Sequence, residues 1–218
     1  MTWIPRRWAL KRKIRPVNEA ARDLKDRIAA ALQLQGGGSS DFDLNPGTVL
    51  PEGRRLRDAG VLVPVSIVSG VPRLILTKRS SALKHHPGQI AFPGGKVDAG
   101  DQDACAAALR EAWEEIGLPQ DLPEILGCLP EHETVTGFSV TPVVALIRED
   151  FAARPEAGEV AEVFSVPLGH VLDTENYIIE SRRWRGTRRR YYTVPYGPYY
   201  IWGATARMLR GLAARMES

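Results

Sequence analysis

The chain has little cysteine and no long apolar run, and both shortages limit what it can be. Its 218 residues include two cysteines, Cys105 and Cys128, which cannot form a disulfide framework and fit a reducing compartment. No uninterrupted apolar stretch approaches the ~18 residues needed to cross a bilayer. No apolar segment follows the basic N-terminus as it would in a secretory signal. We therefore expect a cytoplasmic protein without a membrane partner.

The composition is otherwise ordinary for a folded protein. Apolar residues make up 44% and charged residues 25% of the chain, values that argue against wholesale disorder, collagen and a coiled-coil rod. The length suits one enzyme-sized domain with an appendage, and no internal repeat is visible. The sequence thus predicts a globular domain with a full hydrophobic core.

The net charge of +3 is unevenly distributed along the chain. Residues 1–27 hold nine basic and three acidic side chains, and residues 182–190 hold six arginines next to tyrosine and tryptophan. Both clusters could contact phosphates, so a non-catalytic nucleic-acid-binding protein is one candidate function. A solvated helix and an arginine-rich hairpin with one exposed face would give the same composition, and we rank nucleic-acid binding below an enzyme for that reason.

Hydrophobic periodicity predicts the elements. A 3.6-residue rhythm predicts an amphipathic helix over residues 17–34 with Asn18 as its N-cap, followed by a Gly/Ser/Pro-rich connector. We assign residues 1–56 to a basic N-terminal arm and residues 57–218 to the main domain. The remaining predicted elements are strands at 61–68, 74–77, 124–129, 139–147 and 160–166, a hairpin over 177–194, and helices at 103–116 and 201–216. This mixture indicates an α/β fold of the α+β type, with a mixed β-sheet sandwiched between α-helices.

Residues 92–118, FPGGKVDAGDQDACAAALREAWEEIGL, contain the chemistry. Asp101 or Asp103 is suited to cap the helix at its start, and Gly117 is suited to end it in a left-handed conformation. At about 100° per residue, Glu111, Glu114 and Glu115 fall on one face of that helix.

Three like charges on one helical face need an explanation. Each pair at this spacing destabilises a helix by roughly 0.2–0.5 kcal/mol, so helix stability does not favour the arrangement. Hard cations such as Mg²⁺ or Mn²⁺ prefer carboxylate oxygens and would bridge them to a phosphate substrate. The plainer interpretation is a solvated acidic face paired with Arg110, and this string alone leaves both open.

Residues 110–118, REAWEEIGL, match every position of the second half of a known signature. They resemble the Nudix hydrolases, whose signature places a glycine and an acidic residue before Arg-Glu-apolar-any-Glu-Glu-any-Gly-apolar. The first half departs from the pattern, because its glutamate position falls on Gln102 and Gly95 lies one residue too far away. Asp101 would substitute after a one-residue loop insertion. The resemblance implies a hydrolase that cleaves a nucleoside diphosphate linked to another moiety.

The longer loop and the segment before it resemble the coenzyme A pyrophosphatase branch of that family. Residues 76–95, LTKRSSALKHHPGQIAFPGG, match its second signature almost continuously, and the resemblance extends over residues 59–212. It implies cleavage of coenzyme A, or its acyl or oxidised derivatives, to 3′,5′-ADP and 4′-phosphopantetheine or its acylated form. Within the family, ADP-ribose, dinucleoside polyphosphates and capped RNA are the alternative substrates.

The resemblance also assigns catalytic roles. Glu111 and Glu115 are expected to be the principal ligands of Mg²⁺ or Mn²⁺, with Glu114 a further ligand or a carboxylate behind them. Arg110 is expected to orient these carboxylates by charge-assisted hydrogen bonds. The general base is either Glu111 or Glu115 of the helix or a glutamate from a distant loop. Three glutamates precede or enter the strand predicted at 160–166, namely Glu156, Glu159 and Glu162, and we favour Glu159.

Substrate contacts are expected from the glycines and from the upstream signature. Gly94 and Gly95 would let the backbone approach the metal or a phosphate. The polar residues expected at the diphosphate or the ribose phosphate are Arg79, Lys84, His86, Gln89 and Lys96. Trp202 is expected to pack in the core and not to stack on a base. The partner is then a small coenzyme A-like nucleotide and not a nucleic acid, a homodimer stays open, and removal of residues 1–36 should leave the chemistry largely intact.

Overall fold

A computed structural model describes residues 17–184 and 186–217. Residues 1–16, which hold most of the basic side chains of the N-terminal arm, lie outside the described residues, as does the side chain of Asn18, the predicted N-cap. The helices are α1 Val17–Gln33, α2 Ala104–Ile116, α3 Leu168–Leu172 and α4 Ala204–Glu217. The strands are β1 Ser39–Ser40, β2 Arg57–Ser66, β3 Arg73–Arg79, β4 Ile90–Ala91, β5 Gly94–Lys96, β6 Glu124–Cys128, β7 His132–Glu133, β8 Phe138–Ile147, β9 Val160–Pro167, β10 Ile178–Trp184 and β11 Thr187–Thr193.

Strands β1 to β9 form one mixed sheet, and β10 and β11 form a separate hairpin. At the centre, β2 and β8 run parallel over ten register pairs, from Arg57 opposite Phe138 to Ser66 opposite Ile147. Strand β3 pairs antiparallel with β2 and with β9, and the short β5 also pairs with β2. The predicted strands and the predicted hairpin around Gly186 are therefore confirmed.

Helices cover both faces of this sheet because apolar side chains of the central strands alternate between two cores. Leu62 and Val143 pack on one side with α2, whereas Val63 and Val144 pack on the other side with α1, α3 and α4. The sequence-based prediction of a mixed sheet between helices is confirmed. Among the described residues, no helix is both long and apolar enough to cross a membrane.

Helix α1 is part of the larger core. Its buried side chains are Ala21, Leu24, Ile28, Ala31 and Leu32, and the helix packs against α4 and β6. Full burial of an aliphatic side chain is worth roughly 1.5–3 kcal/mol, so loss of this helix would remove a large share of a typical domain's stability. In contrast to the expectation from sequence, we expect removal of residues 1–36 to impair folding.

The segment predicted as a connector contributes a sheet edge. Strand β1 pairs in parallel with β7, and the fully buried His132 lies between Ser39 Oγ, at 2.9 Å, and Asp41 Oδ1, at 3.2 Å. Further along, Asn45 bonds both backbone groups of Arg190 in β11, at 2.8 and 2.9 Å. The two bonds from Asn45 attach the hairpin of β10 and β11 to this segment.

Candidate active site

Helix α2 begins and ends as its sequence predicts. Asp103 is the N-cap and accepts a hydrogen bond from the Ala106 N–H at 2.8 Å. Gly117 adopts a left-handed conformation, with φ of 70°, and its N–H donates to the Trp113 carbonyl at 2.9 Å. The helix therefore ends shortly after Glu114 and Glu115, which lie in its last turn.

Glycine at three positions brings α2 and β5 close to the central strand. A Cβ on Gly60 would lie 1.8 Å from the Ala104 carbonyl oxygen, so only glycine there allows α2 to pack this tightly on β2. Gly94 has a φ of 150°, and its N–H donates to Glu115 Oε2 at 3.2 Å. A Cβ on Gly95 would lie 2.3 Å from a carboxylate oxygen of Glu111. The two glycines therefore let the backbone approach both carboxylates, and their predicted contact with a metal or phosphate stays a prediction.

The three glutamates of the motif have different surroundings. Glu115 is only 4% exposed, and this burial raises its pKa to about 7, against the opposing effect of the Gly94 N–H. Glu111 is half-buried, and burial also raises its pKa, although its hydrogen bond from Arg110 opposes the shift. Glu114 is 54% exposed at its side chain and pairs with Arg110 at 3.0 Å. The most buried carboxylate is the one that most lacks a compensating positive charge.

Arg110 links the helix to the loop that precedes it. Its Nε and Nη2 donate to the two carboxylate oxygens of Asp101, both at 2.9 Å, and Nη1 donates to Glu111 at 3.1 Å. This contact with Arg110, together with the Asp98 N–H, lowers the pKa of Asp101 to about 2. Arg110 thus orients Glu111, and Asp101 fixes Arg110; Gln102 is exposed.

A second loop brings Glu159 to this site. The Glu156 N–H donates to the Glu115 carbonyl at 2.9 Å, and the Ser80 N–H donates to the Glu159 carbonyl at 2.7 Å, so the loop connects the end of α2 with the end of β3. The charge of Glu159 helps to raise the pKa of both Glu111 and Glu115, and that of Arg79 lowers the pKa of Glu115.

The neighbouring candidates for the base are already engaged. Glu162 accepts a hydrogen bond from the Tyr199 hydroxyl at 2.6 Å. Glu156 accepts one from the Glu159 N–H at 2.9 Å. Glu159 is exposed, and its charge acts on the two helix carboxylates.

The donor set fits a hard divalent cation. Among the residues described, no three His, Cys, Asp or Glu side chains form a ready-made metal cluster. Glu111 and Glu115 nevertheless place two carboxyl groups, both with a raised pKa, on the face of α2 next to the backbone of Gly94 and Gly95. Oxygen donors of this kind suit Mg²⁺ or Mn²⁺, whose charge would offset the cost of burying Glu115.

The upstream signature forms the wall of a separate cavity of about 370 Å³. Its lining residues are His86, Pro87, Gly88, Gln89, Arg182 and Trp202. Of the other predicted contacts, Lys84 is exposed, and Lys96 pairs with Asp98 at 2.9 Å. Trp202 does pack against other aromatic rings, but it is only half-buried and faces this cavity. Sequence reasoning noted the arginine cluster but did not connect it with the signature, because the two are about a hundred residues apart.

The sheet between helices defines a protein of the α+β class, and comparison with known proteins gives the family. The model of the NUDIX domain family matches residues 57–184. Nudix hydrolase NudL of Enterobacter sp. (strain 638) is 44% identical over 160 residues, 73% of this chain and 83% of that relative. NudL of Citrobacter koseri is 42% identical over 177 residues, 81% and 92% of the two chains. The chain therefore belongs to the Nudix family of hydrolases.

The chain is also similar to solved structures. One is a binary complex of the C. elegans Ap4A hydrolase, which is 23% identical and covers 51% of this chain and 80% of that one, with a TM-score of 0.45.

Proposed function

We propose that this Nudix hydrolase cleaves coenzyme A, or an acyl or oxidised derivative, to 3′,5′-ADP and 4′-phosphopantetheine or its acylated form. The observation that carries the proposal is the placement of the upstream signature. Loop residues 86–89 line a cavity, and their backbone is bonded to Arg79, whose charge acts on Glu115. A long nucleotide could therefore place its diphosphate beside α2 and its remaining groups in the cavity.

Glu111 and Glu115 would hold Mg²⁺ or Mn²⁺, with Glu114 nearer to solvent. The bound cation supplies neutralisation of the diphosphate charge and a lowered pKa for water. Arg110 keeps the Glu111 carboxylate in position through its two bonds to Asp101. Gly94 and Gly95 let the β5 backbone lie directly against the Glu115 and Glu111 carboxylates, which would keep these ligands in place for the cation.

In this mechanism water attacks one phosphorus of the diphosphate, and the P–O bond to the bridging oxygen breaks. Glu159 accepts the proton of the attacking water at a carboxylate oxygen. Its exposure gives it access to water, and the engagement of Glu156 and Glu162 in hydrogen bonds favours it over both. Arg79 and Lys96 contribute positive charge beside the helix carboxylates, where a diphosphate would lie.

We also propose that the protein acts in the cytoplasm, where the thiols of Cys105 and Cys128 would stay reduced. Both cysteines are free in the structure.

A substrate panel tests the proposal. Coenzyme A, ADP-ribose, NADH, a dinucleoside polyphosphate and capped RNA are each incubated with the full chain and Mg²⁺ or Mn²⁺, and the products are identified by mass spectrometry. Release of 3′,5′-ADP from coenzyme A with the highest kcat/KM supports the proposal. A higher kcat/KM for another member of the panel would show that the proposed substrate is wrong, while hydrolysis of a nucleoside diphosphate linkage would stand.

The nucleic-acid-binding alternative has its own outcome in the same experiment. Nucleic-acid binding becomes the preferred function if the wild-type chain hydrolyses no member of the panel and RNA binding persists in a Glu111→Gln/Glu115→Gln variant. That binding must also weaken steeply with added salt, as phosphate contacts require.

A further inference from the structure

The cavity next to the diphosphate site has a cationic wall that lies outside the upstream signature. Arg182 in β10 and Trp202, just before α4, face loop residues 86–89 across this space of about 370 Å³. The Arg182 guanidinium lies 4.5 Å from the centroid of the Trp202 ring. A guanidinium that lies over an aromatic face keeps its N–H groups free to donate hydrogen bonds to an anion.

The aromatic rings behind Arg182 are themselves held in place. Tyr191 of β11 meets Trp202 edge-on, with ring centroids 5.1 Å apart, and the Tyr191 hydroxyl is 3.2 Å from that of Tyr200. Asn45 bonds the backbone of Arg190 at the next position of β11. The hairpin thus presents Arg182 from an anchored surface, which reduces the entropy lost when a ligand binds.

The charge of Arg182 is not neutralised by a neighbouring acid. The structure gives Arg182 no carboxylate partner within 17–184 and 186–217. The nearest acid along its strand, Glu180, accepts a hydrogen bond from the Tyr200 hydroxyl at 2.6 Å. An exposed guanidinium at the edge of a cavity attracts a phosphate, with which it can form two parallel hydrogen bonds.

The opposite wall connects this cation with the reaction centre. The Gly88 N–H donates to the Arg79 carbonyl at 3.1 Å, and the Arg79 N–H donates to the Gln89 carbonyl at 2.9 Å. His86 has a φ of 54°, the single positive φ of a non-glycine residue among those the structure describes. Such a conformation is costly for histidine and persists only where the surroundings enforce it, which is common at binding sites. One continuous loop therefore lines the cavity and ends at the diphosphate site.

We propose that Arg182, positioned by Trp202, binds a phosphate group of the substrate that is remote from the cleaved bond. This inference rests on the proposed function, under which the group is the 3′-phosphomonoester on the ribose of coenzyme A. Arg182 then determines specificity for substrates that carry this phosphate, and Trp202 is a positioning residue.

The kinetic test compares coenzyme A with 3′-dephospho-coenzyme A. Arg182→Ala should lower kcat/KM for coenzyme A about 10- to 100-fold, as expected for loss of a charge-assisted hydrogen bond, and should leave kcat/KM for the dephospho form almost unchanged. Trp202→Leu should also reduce the preference for coenzyme A, and Trp202→Phe should retain most of it. Arg183→Ala is the matched control, because Arg183 is exposed on the opposite face of the same strand.

A binding measurement separates this inference from the proposed function. Calorimetry compares adenosine 3′,5′-bisphosphate with adenosine 5′-monophosphate on the wild type, Arg182→Ala and Arg183→Ala. A preference for the bisphosphate that only Arg182→Ala abolishes supports the inference even if coenzyme A is not hydrolysed. Equal losses for coenzyme A and its dephospho form, or a wild type with no preference for the bisphosphate, would overturn the inference while leaving coenzyme A hydrolysis intact.

Discussion

The buried Glu115 should make the metal-free protein less stable as the pH rises. Its pKa in the folded protein is about 7, above the ordinary value of 4.5, so ionisation is harder in the folded than in the unfolded chain. Below pH 4.5 both states hold the proton and no cost arises. Between pH 4.5 and about 7 the unfolded chain loses its proton first, and the free energy of unfolding falls. Above pH 7 the full cost remains, on the order of 3 kcal/mol.

Glu115→Gln should remove this cost and abolish most activity. The amide oxygen of glutamine can still accept the hydrogen bond from the Gly94 N–H, and no charge is buried. We expect the variant to equal the wild type near pH 4.5 and to exceed it by on the order of 3 kcal/mol at pH 8 in EDTA. Turnover with Mg²⁺ should nevertheless fall by orders of magnitude, because a metal ligand is lost.

Denaturant unfolding in EDTA at several pH values from 4.5 to 8 measures this difference. Glu114→Gln is the matched control: its side chain is mostly exposed, so it should change the free energy of unfolding by less than about 1 kcal/mol at every pH. Added Mg²⁺ should stabilise the wild type more than Glu115→Gln, since a cation that binds only the folded state shifts the equilibrium by mass action. Parallel pH profiles for the wild type and Glu115→Gln would refute the reasoning.

Three further substitutions test other parts of the structure. Gly95→Ala should lower kcat at least about 10-fold, because the new Cβ would displace the Glu111 carboxylate. Circular dichroism should show that the fold is unchanged. Turnover equal to that of the wild type would contradict this contact. Ile28→Ala should reduce the free energy of unfolding by about 2–5 kcal/mol in denaturant titrations, and a loss below 1 kcal/mol would argue that α1 is dispensable. Asp101→Asn should lower activity about 10- to 100-fold, because it weakens the hydrogen bonds that hold Arg110. Steady-state kinetics and metal titrations measure the effect, and values equal to those of the wild type would contradict this role of Asp101.

The long elements were predictable because their side chains repeat with a clear period. The strands paired at the sheet centre and helix α2 with both its caps follow from local patterns. Strands β1, β4, β5 and β7 have only two or three residues, too few for any period, and they exist because neighbouring chain segments supply hydrogen-bond partners. The role of α1 in the core was also hidden, since an amphipathic pattern does not show what the apolar face covers.

At the site, residue identity was predictable and environment was not. Helical geometry placed Glu111, Glu114 and Glu115 on one face, but their burial depends on β5 and on the loop before β9, which are distant in sequence. The need for Gly60 arises only from contact with α2. Arg182 acquires its surroundings from residues far away in the chain, so no local motif could mark it.

The pair of hydrogen bonds between Arg110 and Asp101 has a consequence for the length of the loop before α2. The arginine side chain is long, and its guanidinium can donate hydrogen bonds to a carboxylate that approaches from several directions. An insertion or deletion before α2 is then tolerated provided that one acid still reaches the fork. What the site requires here is that an acid lies within reach of the guanidinium, and not that it stands at one fixed distance along the chain.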